Sequence, residues 1–199
     1  MTTATTIAPV RSVRLAPGLP GRLFVLVCLL FALSCIAGGA PPANVAAPTL
    51  ERSVKAAFLY KFLGYVEFPA VDAGTPLTVG VVDADDVAAE LGRITAGRTV
   101  SNRVIAVRTL NEGDALAGLN ILFVGADTEK PAQWLRAAQQ HSVLGISETD
   151  SGLQQGAVIN FRVVDERVRF EVSLPAAEKS NLKLSSRLLS VAYQIQKGP

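Results

Sequence analysis

The sequence predicts an α/β fold: a three-layer sandwich in which helices flank a mixed sheet, with a C-terminal β-hairpin and a final helix. Between residues 77 and 147, short apolar runs rich in β-branched residues alternate with segments of helical periodicity, which is typical of βαβ units. After Gly156 the pattern changes to two adjacent runs that flank a polar turn, which indicates antiparallel pairing. About 150 residues follow the N-terminal apolar segment, enough for one domain with its own core.

The first predicted element of the domain is a helix that opens with Thr49 as its N-cap and ends before Pro69. Its apolar residues recur at helical spacing, whereas Glu51, Arg52 and Lys55 face elsewhere. These apolar positions are Leu50, Val54, Ala57, Phe58, Phe62 and Tyr65.

A buried strand is predicted over Leu77–Val82, because this run is β-branched and nearly free of polar side chains. The acidic turn Asp83–Asp86 then supplies caps and negative charge for a helix that stops near Gly97. Another helix begins at Thr128–Pro131, and Gly152–Gly156 is predicted to be a loop. The remaining strands of the layered part are predicted at Val104–Leu110, Leu119–Val124 and Val143–Ser147.

The hairpin is predicted from Val158–Val164 and Val168–Ser173, which flank the polar turn Asp165–Arg167. The second run alternates apolar and polar residues, as a half-exposed strand does. A last helix is predicted from about Pro175 to Ile195, with its leucines turned inward.

Residues 1–40 are predicted to be a signal peptide, because arginines without any acidic residue precede an apolar core and a small-residue stretch. Residues 41–49 then form a flexible Pro/Ala tether, and residues 50–197 form the single domain. Both cysteines, Cys28 and Cys35, fall inside the leader. We therefore expect an exported, periplasmic protein whose folded part carries no thiol chemistry.

The processing of the leader stays open between several interpretations. Cleavage fits after residues 37–39 or after residues 44–46. Lipidation of Cys35 is an alternative that the preceding residues fit poorly, because Leu33 lies one place too close. An uncleaved anchor over Leu23–Ala40 ranks below cleavage, since its second half is interrupted by serine and glycine.

Composition excludes several function classes. The leader holds three of the nineteen basic residues and none of the seventeen acidic ones, so the rest is nearly neutral and nucleic-acid binding is not expected. The one histidine, His141, lies at a predicted helix C-terminus without partner ligands. The turn Asp83–Asp86 lacks the spacing of a calcium loop. The sequence therefore predicts no metal and no cofactor.

Two pairs of residues could form a catalytic site, but for both pairs the pattern favours a structural or solvent-exposed role. Ser180 and Lys183 match S-x-x-K, but the companion motifs of that serine chemistry are missing, and Ser180 also suits a helix cap. Glu148 and Asp150 follow a strand and could form a paired-carboxylate site, although a solvated loop is favoured. The sequence thus predicts that the protein is not an enzyme.

Five aromatic residues fall within eleven positions on and after the first helix, more than one helix face can bury. Either some rings lie at an edge and meet a partner, or the chain before Pro69 folds back over them. The candidates for partner binding, with rings as anchors and charges as the rim, are Phe58, Tyr60, Lys61, Tyr65, Glu67 and Phe68.

Several of these segments resemble the YfiR family of exported bacterial proteins. The resemblance spans Ser53 to Ala192, nearly the whole predicted domain. The matches fall in the opening, the middle and the closing part of the predicted domain and occur in order, which makes the resemblance more specific than a single motif would. The matching segments are Val54–Phe62 with Val66–Pro69, Gly97–Val100, Ile121–Val124, Gly156–Phe161, Arg167–Val172 and Leu182–Leu189.

The resemblance implies a periplasmic domain that dimerises and represses an inner-membrane diguanylate cyclase by contact with its periplasmic sensor domain. Loss of that contact would raise cyclic-di-GMP and biofilm output. Redox control through disulfides, which the family resemblance would imply, is not expected here because the domain has no cysteine. Structural duties in the hairpin and in capping the last helix are expected for the motif residues Asn160, Arg169, Glu171, Lys183 and Ser185.

The sequence therefore favours an exported, non-enzymatic signalling regulator that binds and restrains a membrane-bound partner, either a diguanylate cyclase or a sensor kinase. The alternative is a periplasmic module that binds a small molecule, which a concave apolar pocket with convergent polar groups would favour. An enzyme built on Ser180 and Lys183 is the third hypothesis.

Overall fold

The computed structural model describes residues 46–69 and 74–198, with side chains from Thr49 onward. The predicted signal peptide and residues 41–45 of the predicted tether lie outside this part of the chain. No helix among the described residues is long and apolar enough to cross a bilayer. The described helices are α1 (Ala46–Tyr65), α2 (Asp85–Thr95), α3 (Pro131–Gln140), α4 (Gly152–Gln155), α5 (Leu174–Lys179) and α6 (Ser186–Ser190).

The strands are β1 (Val66–Glu67), β2 (Leu77–Val82), β3 (Thr99–Val100), β4 (Arg103–Thr109), β5 (Ile121–Val124), β6 (Leu144–Ser147), β7 (Ile159–Val164), β8 (Arg167–Ser173), β9 (Lys183–Leu184) and β10 (Gln194–Gln196). Eight of them form one mixed sheet in the order β10-β8-β7-β6-β5-β2-β4-β3. The five strands from β4 to β7 in this order are mutually parallel. β3 runs antiparallel to β4, and β8 runs antiparallel to β7 but parallel to β10. β1 pairs with β9 outside this sheet.

The central strands bury both of their faces, because alternate side chains enter two different apolar clusters. Ile121 and Phe123 of β5 pack with α1 and α2, whereas Leu122 and Val124 pack with α3. Helices thus cover both faces of the sheet, and the predicted three-layer α/β sandwich is confirmed.

A cluster of phenylalanine rings holds α1 against the hairpin of β7 and β8. The centroid of the Phe62 ring lies 5.1 Å from that of Phe170 and 6.2 Å from that of Phe161. Phe58 approaches Phe170 edge-on at 5.3 Å, and Phe123 extends the cluster from β5 at 6.0 Å from Phe161. Tilted and edge-to-face pairs at these distances stabilise a core beyond the burial of their area.

The predicted hairpin is confirmed, and its turn contains only Asp165 and Glu166. Both residues have a positive φ, 50° and 58°, which suits a two-residue turn whose twist matches that of the flanking strands. Asp165 tolerates this left-handed conformation better than most residues do.

The prediction of one continuous last helix from Pro175 to Ile195 is wrong, because α5, β9, α6 and β10 occupy this segment. The break falls at Asn181, whose φ of 52° is left-handed and cannot continue a helix. A new helix then begins after Ser185, whose Oγ accepts a hydrogen bond from the Leu188 N–H at 3.3 Å.

Other differences concern short elements. α1 begins at Ala46, ahead of the expected cap at Thr49, and Pro48 falls in the first turn, where a missing N–H costs nothing. The predicted loop at 152–156 contains the one-turn helix α4, which ends at the left-handed Gly156. The short elements that the sequence did not predict are β1, β3, α4, β9 and β10, which have two to four residues each and are too short to show a period.

Candidate functional site

The order of the parallel strands defines where a ligand site is expected. β2 precedes β4 and β5 in the chain but lies between them in the sheet, so the winding direction reverses at β2. At such a reversal the loops after neighbouring strands diverge toward opposite faces and leave a crevice at the carboxyl edge of the sheet. A cavity of about 500 Å³ lies here, between the loops after β2, β4 and β5 and the helix α3. We call it the switch-point cavity.

One wall of the switch-point cavity is apolar. Val82, Leu110 and Leu116 line it and are buried in the second apolar cluster. Trp134 on α3 also lines the cavity; it packs against the same cluster and stays partly exposed. A concave, partly aromatic wall of this size is typical of small-molecule sites.

The rim of the switch-point cavity is acidic, because each of the three strands is followed by carboxylates. Lys130 is the one basic residue among those that line the cavity, and it contacts Glu112 at 2.7 Å. The hydrogen bond between them raises the pKa of Lys130 and lowers the pKa of Glu112. The acidic lining residues are Asp83, Glu112, Asp114, Asp127 and Glu129.

The loops around the switch-point cavity are held in close contact. The Gly125 N–H donates a hydrogen bond to the Val82 carbonyl at 2.9 Å. A Cβ at Gly125 would lie 2.3 Å from the carbonyl oxygen of Asp83, so only glycine fits. Asp83 itself has a φ of 50°, a left-handed conformation that is often found where a backbone is shaped for a site.

One polar group that lines the switch-point cavity has no partner. Thr128 is 8% exposed, and its Oγ1 makes no hydrogen bond to any described residue. Most buried hydroxyls find a hydrogen-bond partner, so this buried oxygen is an exception that needs a physical explanation.

Most residues of the switch-point cavity are not predicted from the sequence as a site. Asp83 is predicted to cap a helix, Thr128 to begin one, and no functional role is predicted for Trp134 or Asp127. The available signal was that carboxylates follow three successive strands. Their convergence depends on the strand order, which no local pattern gives.

A second crevice lies at the same edge of the sheet, on the side of α1, and is lined by charged side chains and by Phe161. We call it the ion-paired crevice. Lys55 on α1 contacts Glu148, which follows β6, and Glu51 one turn away. The other oxygen of Glu148 accepts a hydrogen bond from the Ala126 N–H at 3.0 Å. Burial lowers the pKa of Lys55, but the hydrogen bonds and charges of both glutamates outweigh it and raise the pKa.

The structure does not bring Glu148 and Asp150 together as a carboxylate pair. The side chain of Glu148 is 12% exposed and tied to Lys55, whereas that of Asp150 is fully exposed and lies 3.3 Å from Arg162. The solvated-loop interpretation therefore describes Asp150 and is wrong for Glu148, because a cation on α1 draws that carboxylate inward.

Ser180 and Lys183 are not placed as a nucleophile and base. Ser180 is fully buried, and its Oγ donates to the Ala176 carbonyl at 2.9 Å, while Lys183 is exposed on β9. His141 ends α3 as predicted. The acidic turn before α2 gives first-turn charge, but Ala84 is the N-cap and no side chain caps this helix. Among the described residues no group of carboxylates, histidines or cysteines is arranged to hold a metal ion.

Comparison with known proteins decides the family. A family profile described as YfiR/HmsC-like matches residues 52–193. The chain belongs to the YfiR/HmsC-like family. Members of this family are periplasmic regulators of diguanylate cyclases rather than enzymes.

The fold agrees with a solved structure. A conserved domain protein from Vibrio cholerae superposes with a TM-score of 0.51 at 12% identity. The match covers 73% of this chain and 60% of that protein. At this identity the likeness shows a common fold.

The residues that match YfiR motifs have structural positions. Asn160 pairs with Glu171 across the hairpin, and Arg169 pairs with Arg162. Asn160 is buried, and its side-chain amide donates to the Thr149 carbonyl at 3.1 Å. Ser185 caps α6 as expected, which confirms one predicted capping role.

The predicted partner-binding residues of this YfiR-like chain lie at the end of α1 and on β1. Lys61 and Glu67 are exposed, whereas Tyr60, Tyr65 and Phe68 are partly buried against the first apolar cluster. β1 is covered by β9 rather than by a loop that folds back. Tyr60 has the guanidinium of Arg98 at 5.7 Å from its ring centroid, and Phe58 belongs to the ring cluster around Phe62.

Proposed function

We propose that the protein binds and restrains a membrane-bound diguanylate cyclase by contact with the periplasmic sensor domain of that enzyme. The observation that carries this proposal is the family match over residues 52–193, which spans most of the described domain. We also propose that residues 1–40 direct export to the periplasm and that the domain forms a homodimer, as the family resemblance implies.

The surface proposed for this contact is the end of α1 with β1. Tyr60, Tyr65 and Phe68 expose part of their rings, and Lys61 and Glu67 flank them. Partly exposed aromatic side chains with charged neighbours are typical of the anchors of protein–protein interfaces. Phe58 is the least available of the predicted set, because its ring contacts three other rings.

Restraint requires that the protein bind one state of the cyclase more tightly than another. A regulator with equal affinity for both states would shift nothing, however tightly it bound. Release would then follow any event that weakens this differential contact.

The proposal is tested by capture of membrane proteins on the purified domain, followed by assay of cyclic-di-GMP in cells. Lys61→Glu should reduce capture of the cyclase and raise cyclic-di-GMP. Arg136→Glu is the matched control, because Arg136 is exposed on α3, which covers the opposite face of the sheet. Recovery of neither a cyclase nor a sensor kinase would contradict the proposal.

A second candidate function is the binding of a small molecule. The switch-point cavity favours it, since its volume of about 500 Å³ and its mixed lining fit a ligand site at the expected place in the fold. The two functions are compatible, because the cavity lies beside α3 and the proposed partner surface lies on α1 and β1.

A further inference from the structure

We propose that the switch-point cavity binds a small organic cation: a protonated amine carried on an apolar body. This inference rests on the second candidate function, that the cavity holds a small molecule, and adds the chemical class of the ligand.

The size and the wall of the cavity favour an apolar body. A volume of about 500 Å³ is within the range of sites for small molecules. Val82, Leu110 and Leu116 offer buried aliphatic contacts, and Trp134 offers a partly exposed ring. Removal of a ligand's apolar surface from water against these side chains supplies affinity that does not depend on charge.

The charges around the cavity favour a cation over an anion. Asp83 and Asp127 line the cavity, are exposed, and form no ion pair with any described residue. Lys130 is already paired with Glu112. A concave surface with unpaired carboxylates concentrates cations and repels phosphates, although related sheets hold phosphate groups at the same edge.

Two further side chains line the same cavity. Thr128 is more than nine-tenths buried, and its Oγ1, which is itself buried, has no partner among the described residues. A rotation of this hydroxyl toward the cavity would give an ammonium group an acceptor. The ring of Trp134 adds the attraction of an aromatic face for a cation.

The frame of the cavity is set before any ligand binds. The Gly125 N–H holds the Val82 carbonyl at 2.9 Å, and the absence of a side chain at Gly125 lets the backbone of Asp83 pass against it. Little reorganisation is then needed on binding, which lowers its cost.

The chain offers its own reporter for the test, because Trp134 is its only tryptophan. The purified protein is titrated with phenethylamine and isoamylamine, and with the alcohol and the carboxylate of the same shape in each case. Tryptophan emission and calorimetry follow binding. We expect saturable binding of the amines, about fivefold tighter than the alcohols, with no binding of the carboxylates. The preference for amines should shrink at high salt.

The double substitution Asp83→Asn/Asp127→Asn should weaken amine binding about fivefold, to the level of the alcohols, and leave alcohol binding unchanged. Asp165→Asn is the matched control, since Asp165 is also exposed and also has a φ of 50°, but lies in the hairpin turn. It should leave both affinities unchanged. Melting curves establish that each variant is folded.

The outcomes distinguish between two claims: that the cavity binds a small molecule, and that this molecule is a cation. Alcohols or carboxylates that bind as tightly as the amines, or full amine affinity in the double variant, would overturn the cationic class while small-molecule binding stands. The absence of saturable binding for every probe by both methods would overturn the cavity as a small-molecule site, and would leave the proposed restraint of a cyclase untouched.

Discussion

The switch-point cavity and the ion-paired crevice lie at the same edge of the same sheet, but they differ in whether their carboxylates are paired with basic side chains. In the ion-paired crevice Lys55 stands between Glu51 and Glu148, and Arg162 faces Asp150, so the chain supplies its own counterions. In the switch-point cavity the single lysine is paired with one of five carboxylates. Charges that neutralise each other hold α1 to the sheet, whereas charges left without counterions are available to a ligand.

The largest loss of stability is expected when the ion pairs of the ion-paired crevice are removed. Lys55→Met would leave Glu148 buried without its cation and should lower the free energy of unfolding by about 2–3 kcal/mol. Because the pKa of Lys55 is raised above 10.5, its contribution is fully present below pH 10.5 and is lost as the pH rises beyond that value. Denaturant unfolding of the wild type and the variant at neutral and alkaline pH measures both effects.

Lys61→Met is the control for this prediction, since Lys61 is exposed on the same helix and should cost less than about 0.5 kcal/mol. The double variant Lys55→Met/Glu148→Gln should recover part of the loss, because the amide keeps an acceptor for the Ala126 N–H. Equal stabilities of Lys55→Met and Lys61→Met would show that the crevice contributes nothing.

A smaller loss of stability is expected when the close contact between the loops around the switch-point cavity is disrupted. Gly125→Ala should cost about 2 kcal/mol, because the new Cβ meets the Asp83 backbone, which cannot move aside as a flexible side chain would. Gly92→Ala is the opposite control. It lies within α2 with nothing within 4 Å of an added Cβ, so it should stabilise the protein by about 0.5–1 kcal/mol. Thermal melts give the sign of each change, and a stable Gly125→Ala would mean that the two loops are not held as described.

The third prediction concerns two buried threonine hydroxyls, one without a hydrogen-bond partner and one with a partner. Thr128→Val removes a buried Oγ1 that has no partner and should change the free energy of unfolding by less than about 0.5 kcal/mol, or raise it. Thr95→Val removes a buried Oγ1 that donates to the Leu91 carbonyl at 2.7 Å and should cost about 1 kcal/mol. Chemical denaturation of the two variants measures both changes in the free energy of unfolding. A larger loss at Thr128 than at Thr95 would show that the Thr128 hydroxyl is already satisfied.

The layered core could be predicted from the sequence because its strands are apolar runs that are buried on both faces. β2, β5, β6 and the hairpin follow directly from that pattern. The last helix could not, because leucines continue at helical spacing across Asn181 and Ser185, where the backbone turns and restarts. The local hydrogen bonds at these two residues decide the backbone conformation, although the apolar spacing alone predicts a continuous helix.

The candidate site was less predictable, because both crevices are assembled by residues far apart in the chain. Glu148 belongs to a polar segment and is drawn inward only by Lys55 on α1. Asp127 and Trp134 line the same cavity as Asp83 because β2 lies next to β5 in the sheet, although β3 and β4 separate the two strands in the chain. The partner surface around Tyr60 and Lys61 remains a prediction from composition and resemblance.

The pairing of β1 with β9 has a consequence for how the polypeptide matures. Val66, directly after the first described helix, lies opposite Leu184, and the Phe161 and Phe170 rings that contact Phe62 come from β7 and β8. A chain delivered from its N-terminus therefore cannot close its core until nearly all of it has emerged. Such late closure suits a family that works beyond the inner membrane, since an unfinished globule can still be threaded through a translocation channel.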